Sequence, residues 1–339
     1  MGWVRRIGKW FVILVLSLIA GGASYQQVGV ALDAALAPPK SEMAAVSGRA
    51  IHVRCMGAGA QTFVLDAGLG VWSFEWFRLQ PLLAKWARVC AFDRPGMGWS
   101  EDLGGAHDGV AVADELNAVI STAGIPKPFI YVGHSLGANF AQIYYARHPG
   151  DVAGLVLLEP GNPKDMLEDF HGTRAEAMRM PDCGAMCAVA SVMGHLGIGR
   201  LAAVILDPGG KSLPADVRTE YRAGLARAST LRAMVAYLGT LPKTAYQNLE
   251  VKSFADTPVL LICSSKPREP EGDETPHDVE VWLQGYRAYL ASLAAQSSKG
   301  VGPVVVPDST HGSMVTGAAQ AIWVADALHA FAARGRQVN

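Results

Sequence analysis

Residues 128–138 read Pro128-Phe129-Ile130-Tyr131-Val132-Gly133-His134-Ser135-Leu136-Gly137-Ala138, and this stretch decides the fold of a 339-residue chain. Its first half is a short apolar run rich in β-branched and aromatic residues, the signature of a buried strand. Its second half opens a helical pattern over 138–147. Between them lies Gly133-His134-Ser135-Leu136-Gly137, a G-x-S-x-G pattern at a strand-to-helix turn. A serine there is forced into an unusual backbone conformation that lifts its hydroxyl clear of the sheet. Glycines two positions to either side remove side chains that would collide. Ser135 is therefore the candidate nucleophile, with free N–H groups of the following helix facing the place where negative charge would develop.

Outward from this turn, strands and helices alternate. Strand patterns occupy 49–55, 62–66, 88–93, 152–158, 258–263 and 302–306, and helical spacing occupies 74–86, 109–123, 279–295 and 318–333. Such alternation predicts an α/β fold with a mostly parallel sheet covered by helices on both faces. The rhythm breaks over 160–250, which is rich in Ala, Met, Leu and Arg and carries helical stretches such as 217–237. That region reads as an inserted helical cap, leaving 45–159 and 251–335 as the core. Residues 34–44, with Pro38 and Pro39, read as a linker.

Ser135 needs a base. His311, in Asp308-Ser309-Thr310-His311-Gly312, falls between the last strand and the last helix, over the carboxyl end of the sheet where Ser135 sits. His134 reads as a packing residue. Asp66-Ala67-Gly68-Leu69-Gly70 follows an early strand, so the N–H of Leu69 can join that of Leu136 in an oxyanion hole.

In order and spacing, Asp66-Ala-Gly-Leu-Gly70, Asp93-Arg94-Pro95-Gly96-x-Gly98-x-Ser100, Gly133-His-Ser-Leu-Gly137 and His311 resemble the α/β-hydrolase superfamily over about residues 45–335. An apolar helix, then Pro-Pro, then this domain resembles a bacterial membrane-anchored branch. The resemblance implies the α/β-hydrolase fold, an eight-stranded sheet with a cap over the site, and acyl-ester hydrolysis without a cofactor. It also makes the strands bearing Cys55 and Cys90 neighbours. Serine at position 135 disfavours dehalogenase or epoxide-hydrolase chemistry. One position departs from the family pattern. After the strand at 258–263, where relatives usually keep an Asp, this chain has Ser264-Ser265-Lys266-Pro267-Arg268. Relatives such as haloalkane dehalogenases take the acid from the end of the preceding strand, here Leu157-Leu158-Glu159-Pro160. Glu159 is thus the expected third member, and Glu269, Glu271 and Asp273 are the alternatives in the following loop.

Composition narrows the partners. Half of the residues are hydrophobic, 17% are charged and the formal net charge is −1, so a large core is feasible and the basic footprint of a nucleic-acid binder is missing. Arg5, Arg6 and Lys9 precede an uncharged stretch over 10–32, long enough to cross a bilayer between Trp10 and Val30 with Gln26 and Gln27 at the far interface. Residues 1–33 read as an uncleaved membrane anchor, with a signal cleaved near 20–24 as the alternative. The positive-inside rule then places the remainder on the extracytoplasmic side. Cys55 with Cys90 and Cys183 with Cys187 are candidate disulfides, against five inert thiols. A zinc site from Cys183, Cys187 and His171 or His195 lacks the usual ligand spacing, and no metal is expected. The expected substrate is a small acyl compound with an apolar portion. The competing reading is a non-catalytic hydrolase-like domain that binds a small apolar ligand at the membrane surface.

Overall fold

The computed structural model describes residues 2–36, 39, 41–168, 170–181, 183–206, 213–266, 272 and 274–336. Glu269, Glu271 and Asp273 lie outside the described residues. A long helix, α1 (Gly2–Leu36), precedes the strands β1 (Glu42–Val46), β2 (Arg49–Met56) and β3 (Thr62–Asp66). Next come α2 (Leu79–Leu83), β4 (Arg88–Phe92), α3 (Gly109–Thr122), β5 (Phe129–His134), α4 (Leu136–Arg147) and β6 (Val152–Leu158). The cap contributes α5 (Arg174–Arg179), α6 (Gly184–His195), α7 (Ile198–Leu206), α8 (Ala215–Leu225), α9 (Ala228–Gly239) and α10 (Leu241–Glu250). The chain then returns to the sheet as β7 (Val259–Ser264), α11 (Pro276–Ala294), β8 (Gly300–Val306), α12 (Ser313–Thr316) and α13 (Ala318–Arg336).

The eight strands form one sheet in the order β1-β2-β4-β3-β5-β6-β7-β8. The first two pairings in this order are antiparallel and the other five are parallel. Every residue of β3, β5 and β7 is buried, because helices cover both faces and the strands need no polar alternation. One apolar layer, including Val64, Tyr131 and Leu261, lies under α3, α4 and α11; the other, including Leu65, Val132 and Ile262, lies under α2 and α13. A third cluster joins core to cap through Trp72, Phe140, Tyr221 and Tyr237.

Three local expectations change. The stretch read as a linker through residue 44 already contains β1, which pairs with β2 across Ser47 and Gly48, both at positive φ (49° and 77°). That is a tight hairpin turn, and the Ser-Gly dipeptide is its sequence signal. The helix expected over 74–86 is a 3-10 turn, Ser73–Trp76, followed by α2, because Pro81 has no N–H to carry the helical ladder back to Phe77. The helical stretch 217–237 divides into α8 and α9 at Arg227, which is extended (ψ 136°). Near that break a Cβ on Gly224 would lie 2.3 Å from the Trp72 ring, so the close approach of cap to core requires glycine.

Candidate active site

β5 delivers Ser135 at φ 52°, ψ −123°, a left-handed conformation costing about 1–3 kcal/mol that the surrounding backbone holds in place. Its N–H donates to Leu158 O at 2.9 Å, locking the turn onto the end of β6. A Cβ on Gly133 would come within 2.4 Å of Gly137 O, and one on Gly137 within 2.3 Å of Asp66 O. The first glycine lets the chain reverse; the second lets α4 press against the loop after β3.

Ser135 opens into a cavity of about 640 Å³ that also takes in Glu159 and His311, with Met166, Leu283 and Tyr286 as apolar wall. His311 lies between β8 and α12 with its imidazole about half exposed. Its Nδ1 meets Glu159 Oε2 at 3.1 Å, and the other carboxylate oxygen accepts the Ser264 hydroxyl at 2.7 Å. Burial alone would raise the Glu159 pKa, but the hydrogen bond and charge of His311, then the Ser264 hydroxyl, outweigh it and hold the carboxyl below its ordinary value. With Nδ1–H directed at Glu159, Nε2 is the nitrogen left to take a proton. Ser135 and His311 make no direct hydrogen bond in this arrangement; such contacts often tighten only around substrate. Ser264 stands at the end of β7, near where a carboxylate is missing, and supports Glu159 instead of replacing it.

The loop after β3 is held from below. Arg94, buried within the Asp93-Arg94-Pro95 motif, donates to Asp66 Oδ1 and Ala67 O, each at 2.6 Å, and to Gly68 O at 2.5 Å. Tyr131 OH donates to the other Asp66 oxygen at 3.0 Å. With its carbonyls engaged, the loop keeps its N–H groups for other partners. Gly68 N–H donates to Glu75 Oε2 at 2.9 Å, whereas among the described residues neither Leu69 N–H nor Leu136 N–H has a backbone acceptor. Both are therefore free of the backbone ladder, as the expected oxyanion donors must be.

Glu75 and His134 were not singled out as a functional pair by the sequence reading. Both are buried, with Glu75 Oε1 2.8 Å from His134 Nδ1 and His134 Nε2 3.1 Å from His311 O. Burial works against both charges, yet the Glu75 charge and hydrogen bond leave His134 raised, and His134 in turn leaves Glu75 lowered. The pair links the loop bearing Leu69 to the loop bearing His311. His134 thus packs, as expected, but through a polar chain. The only local hint was a Glu inside the aromatic run Trp72-Ser73-Phe74-Glu75-Trp76.

Cys55 and Cys90 face each other in the β2/β4 register and are disulfide-bonded, as are Cys183 and Cys187 at the start of α6. The reading of five inert thiols therefore fails for four of them. Cys263 is free and buried, its thiol pushed up to about 11, first by burial and then by the Glu159 charge. Among the described residues no cluster of three or more His, Cys, Asp or Glu is arranged to hold a metal.

Residues 61–180 match the sequence family described as alpha/beta hydrolase fold. An uncharacterized protein of Schizosaccharomyces pombe is 32% identical over 90 residues, 26% of this chain and 17% of that protein. The bifunctional esterase/perhydrolase DCH of Acinetobacter calcoaceticus is 39% identical over 97 residues, 24% of this chain and 35% of the relative. These alignments span well under half of the relatives' own lengths. The solved structure of the epoxide hydrolase CorEH superposes with a TM-score of 0.64 at 17% identity, covering 86% of this chain and 98% of that one. At such identity the likeness concerns the fold alone. The strand order, the cap between β6 and β7 and the family match over the nucleophile turn together show that this chain has the α/β-hydrolase fold.

Proposed function

We propose that the protein is a serine hydrolase that cleaves an acyl ester through Ser135, His311 and Glu159. The observation that carries this reading is the meeting of a strained serine turn with a paired histidine and carboxylate on the wall of one cavity. Ser135 Oγ attacks the ester carbonyl carbon while its proton passes to His311 Nε2. Leu69 and Leu136 N–H groups hold the resulting oxyanion; one such donor is worth about 3–4 kcal/mol of transition-state stabilisation. The tetrahedral intermediate collapses to an acyl-serine, and His311 returns the proton to the departing alkoxide. Water then attacks the acyl group, His311 accepts its proton, and the acid leaves as Ser135 regains hydrogen. Glu159 fixes the imidazole orientation and stabilises its cationic form.

Met166, Leu283 and Tyr286 suit an apolar acyl or alkyl portion, and Asp165 and Lys266 give the same cavity a polar part. The esterase named among the relatives supports ester over amide chemistry. The non-catalytic alternative rested on the missing acid after β7, and the Glu159–His311 contact weighs against it. A fluorophosphonate probe tests the proposal: labelling of the wild type that disappears in Ser135→Ala supports it, and failure to label folded wild type overturns it.

We also infer, independently of the chemistry, that α1 is a membrane anchor with the catalytic domain on the extracytoplasmic side. Trp3–Leu36 is apolar enough to cross a bilayer, three cations lie near its start, and the paired cysteines suit an oxidising compartment. Protease added outside intact cells should degrade the domain; complete protection would reverse the topology.

A further inference from the structure

We propose that the cap face formed by α6 and α7 is itself a membrane-binding surface, seated among the lipids at the acyl-chain boundary beside α1. This rests on the reading of α1 as an anchor. A helix on the surface of a soluble domain turns large apolar residues inward and polar residues outward. In α6 and α7 the arrangement is reversed. Cys187, Ala190, Gly194 and Ala203, all small, are buried against the cap, while Met186, Val189, Val192, Leu201, Val204 and Ile205 are exposed, Val192 at 59% and Leu201 at 50%. Gly194 is tight against Ala228 of α9, where a Cβ would lie 2.6 Å from its backbone, so the inner face is the packed one. The one Lys, Arg, Asp or Glu in the two helices, Arg200, turns inward to Asp33 Oδ2 at 2.7 Å and Gln26 Oε1 at 3.2 Å. An exposed apolar face of this extent marks an interaction site.

The contacts of α1 say what covers it. Gln26 is buried and donates to Ala226 O at 2.8 Å, and Gly22 and Tyr25 abut the α6–α7 corner at Leu196 and Gly197. The span expected from Trp10 to Val30 is therefore docked on the cap from Gly22 onward, and Gln26 is not at a free interface. What stands clear between Lys9 and that contact is residues 10–21, about 18 Å of helix against a hydrocarbon layer of about 30 Å. A shortfall of roughly 12 Å is relieved when the docked half and the cap beside it sink into the bilayer. The outward residues of that half fit such a position, since Tyr25, Val28 and Leu32 are exposed and Tyr25 meets the α6–α7 corner at Gly197. With 12 and 9 residues, neither α6 nor α7 is long enough to cross alone, and a 73° bend separates them. They lie in the plane, as interfacial helices do.

The test places a benzophenone photo-crosslinking residue at Val192, Leu201, Trp10 or Asp256 of the full-length protein in phosphatidylcholine–phosphatidylglycerol nanodiscs. Asp256 precedes β7, at the end of the sheet opposite the cap. Lipid adducts at 192 and 201 comparable to those at 10, and none at 256, are the expected result. Lipid adducts at 10 but not at 192 or 201 overturn the cap surface while leaving the anchor intact. Protein–protein adducts at 192 and 201 also overturn it, because a second copy would then cover the face. Absence of lipid adducts at 10 sinks the anchor and this inference with it, and leaves the serine-hydrolase chemistry untouched.

Discussion

Two lines of serine, histidine and carboxylate run through this molecule. Ser135, His311 and Glu159 form one; Ser41, His52 and Asp93 form the other, with Ser41 Oγ 3.0 Å from His52 Nε2 and His52 Nδ1 3.0 Å from Asp93 Oδ2. By residue type and hydrogen-bond length the second is the better formed. Its His52 and Asp93 side chains, however, have no exposed surface, and Asp93 also accepts Ser73 N–H and Trp99 N–H. No substrate reaches that imidazole. The first line is loose at the Ser135 end, faces a cavity and carries left-handed backbone at both Ser135 and Glu159. On the proposed reading, reactivity follows strain, access and unengaged donors, whereas the closed hydrogen-bond chain at His52 is a structural staple joining β2 to the end of β4.

The largest contrast is expected at the serines. Ser135→Ala should lower turnover of a short-chain ester by at least about 10⁴-fold, whereas Ser41→Ala should leave kcat within about twofold. Equal losses in steady-state assays of the two variants would erase the distinction. At the acids, Glu159→Gln should reduce kcat by about 10³–10⁴-fold with KM little changed, because the imidazole loses its orienting partner. Asp93→Asn should instead cost about 3–5 kcal/mol in denaturant unfolding, as expected when a buried pair is broken, while the folded fraction keeps its kcat. A smaller effect concerns Glu75 and His134. His134 is raised in the fold, so its contribution to stability is complete below its ordinary value and is lost as pH rises through the raised one; Glu75 is lowered, so its contribution is lost as pH falls through its depressed value. Wild-type melting temperature should therefore decline on the alkaline side, and Glu75→Gln, at a cost of about 1–3 kcal/mol, should flatten that decline. A retained alkaline slope in the variant would assign it to other groups. Smallest of all, loss of the Ser41 hydroxyl should cost about 0.5–1.5 kcal/mol, read from the same unfolding curves.

What the sequence made legible was local or repeated. The strand–turn–helix around Ser135 is contiguous, the parallel strands are continuous apolar runs, and His311 follows the last strand, so topology alone carries it over the sheet. Glu159 was reachable only through the resemblance, because relatives such as haloalkane dehalogenases take the acid from the end of that strand. Glu75 was not, since it lies 59 residues from His134 in the segment read as helix, and only tertiary packing gives that carboxylate a partner. The docking of α1 was hidden for a related reason. Hydropathy measures whether residues 10–32 tolerate lipid, and it carries no record of Gln26 meeting Ala226 at a separation of 200 residues. Within the cap, helical composition was clear while the reversed orientation of α6 and α7 was not, because small and large apolar residues alternate without a polar face to mark the outside.

The Glu75–His134 link also bears on how the site moves. Gly68, Ser135 and His311 belong to three loops separated widely in sequence, each of which would ordinarily open to solvent on its own schedule. A buried carboxylate holds one loop by its N–H and a histidine reaches the carbonyl of another, a linkage expected to make the loops open together. In native-state hydrogen exchange the amides of Gly68 and of the residues around His311 should then exchange with a common free energy. If these loops act as the proposed oxyanion donor and base, substrate would meet them already ordered together, and little of its binding free energy would be spent on immobilising them.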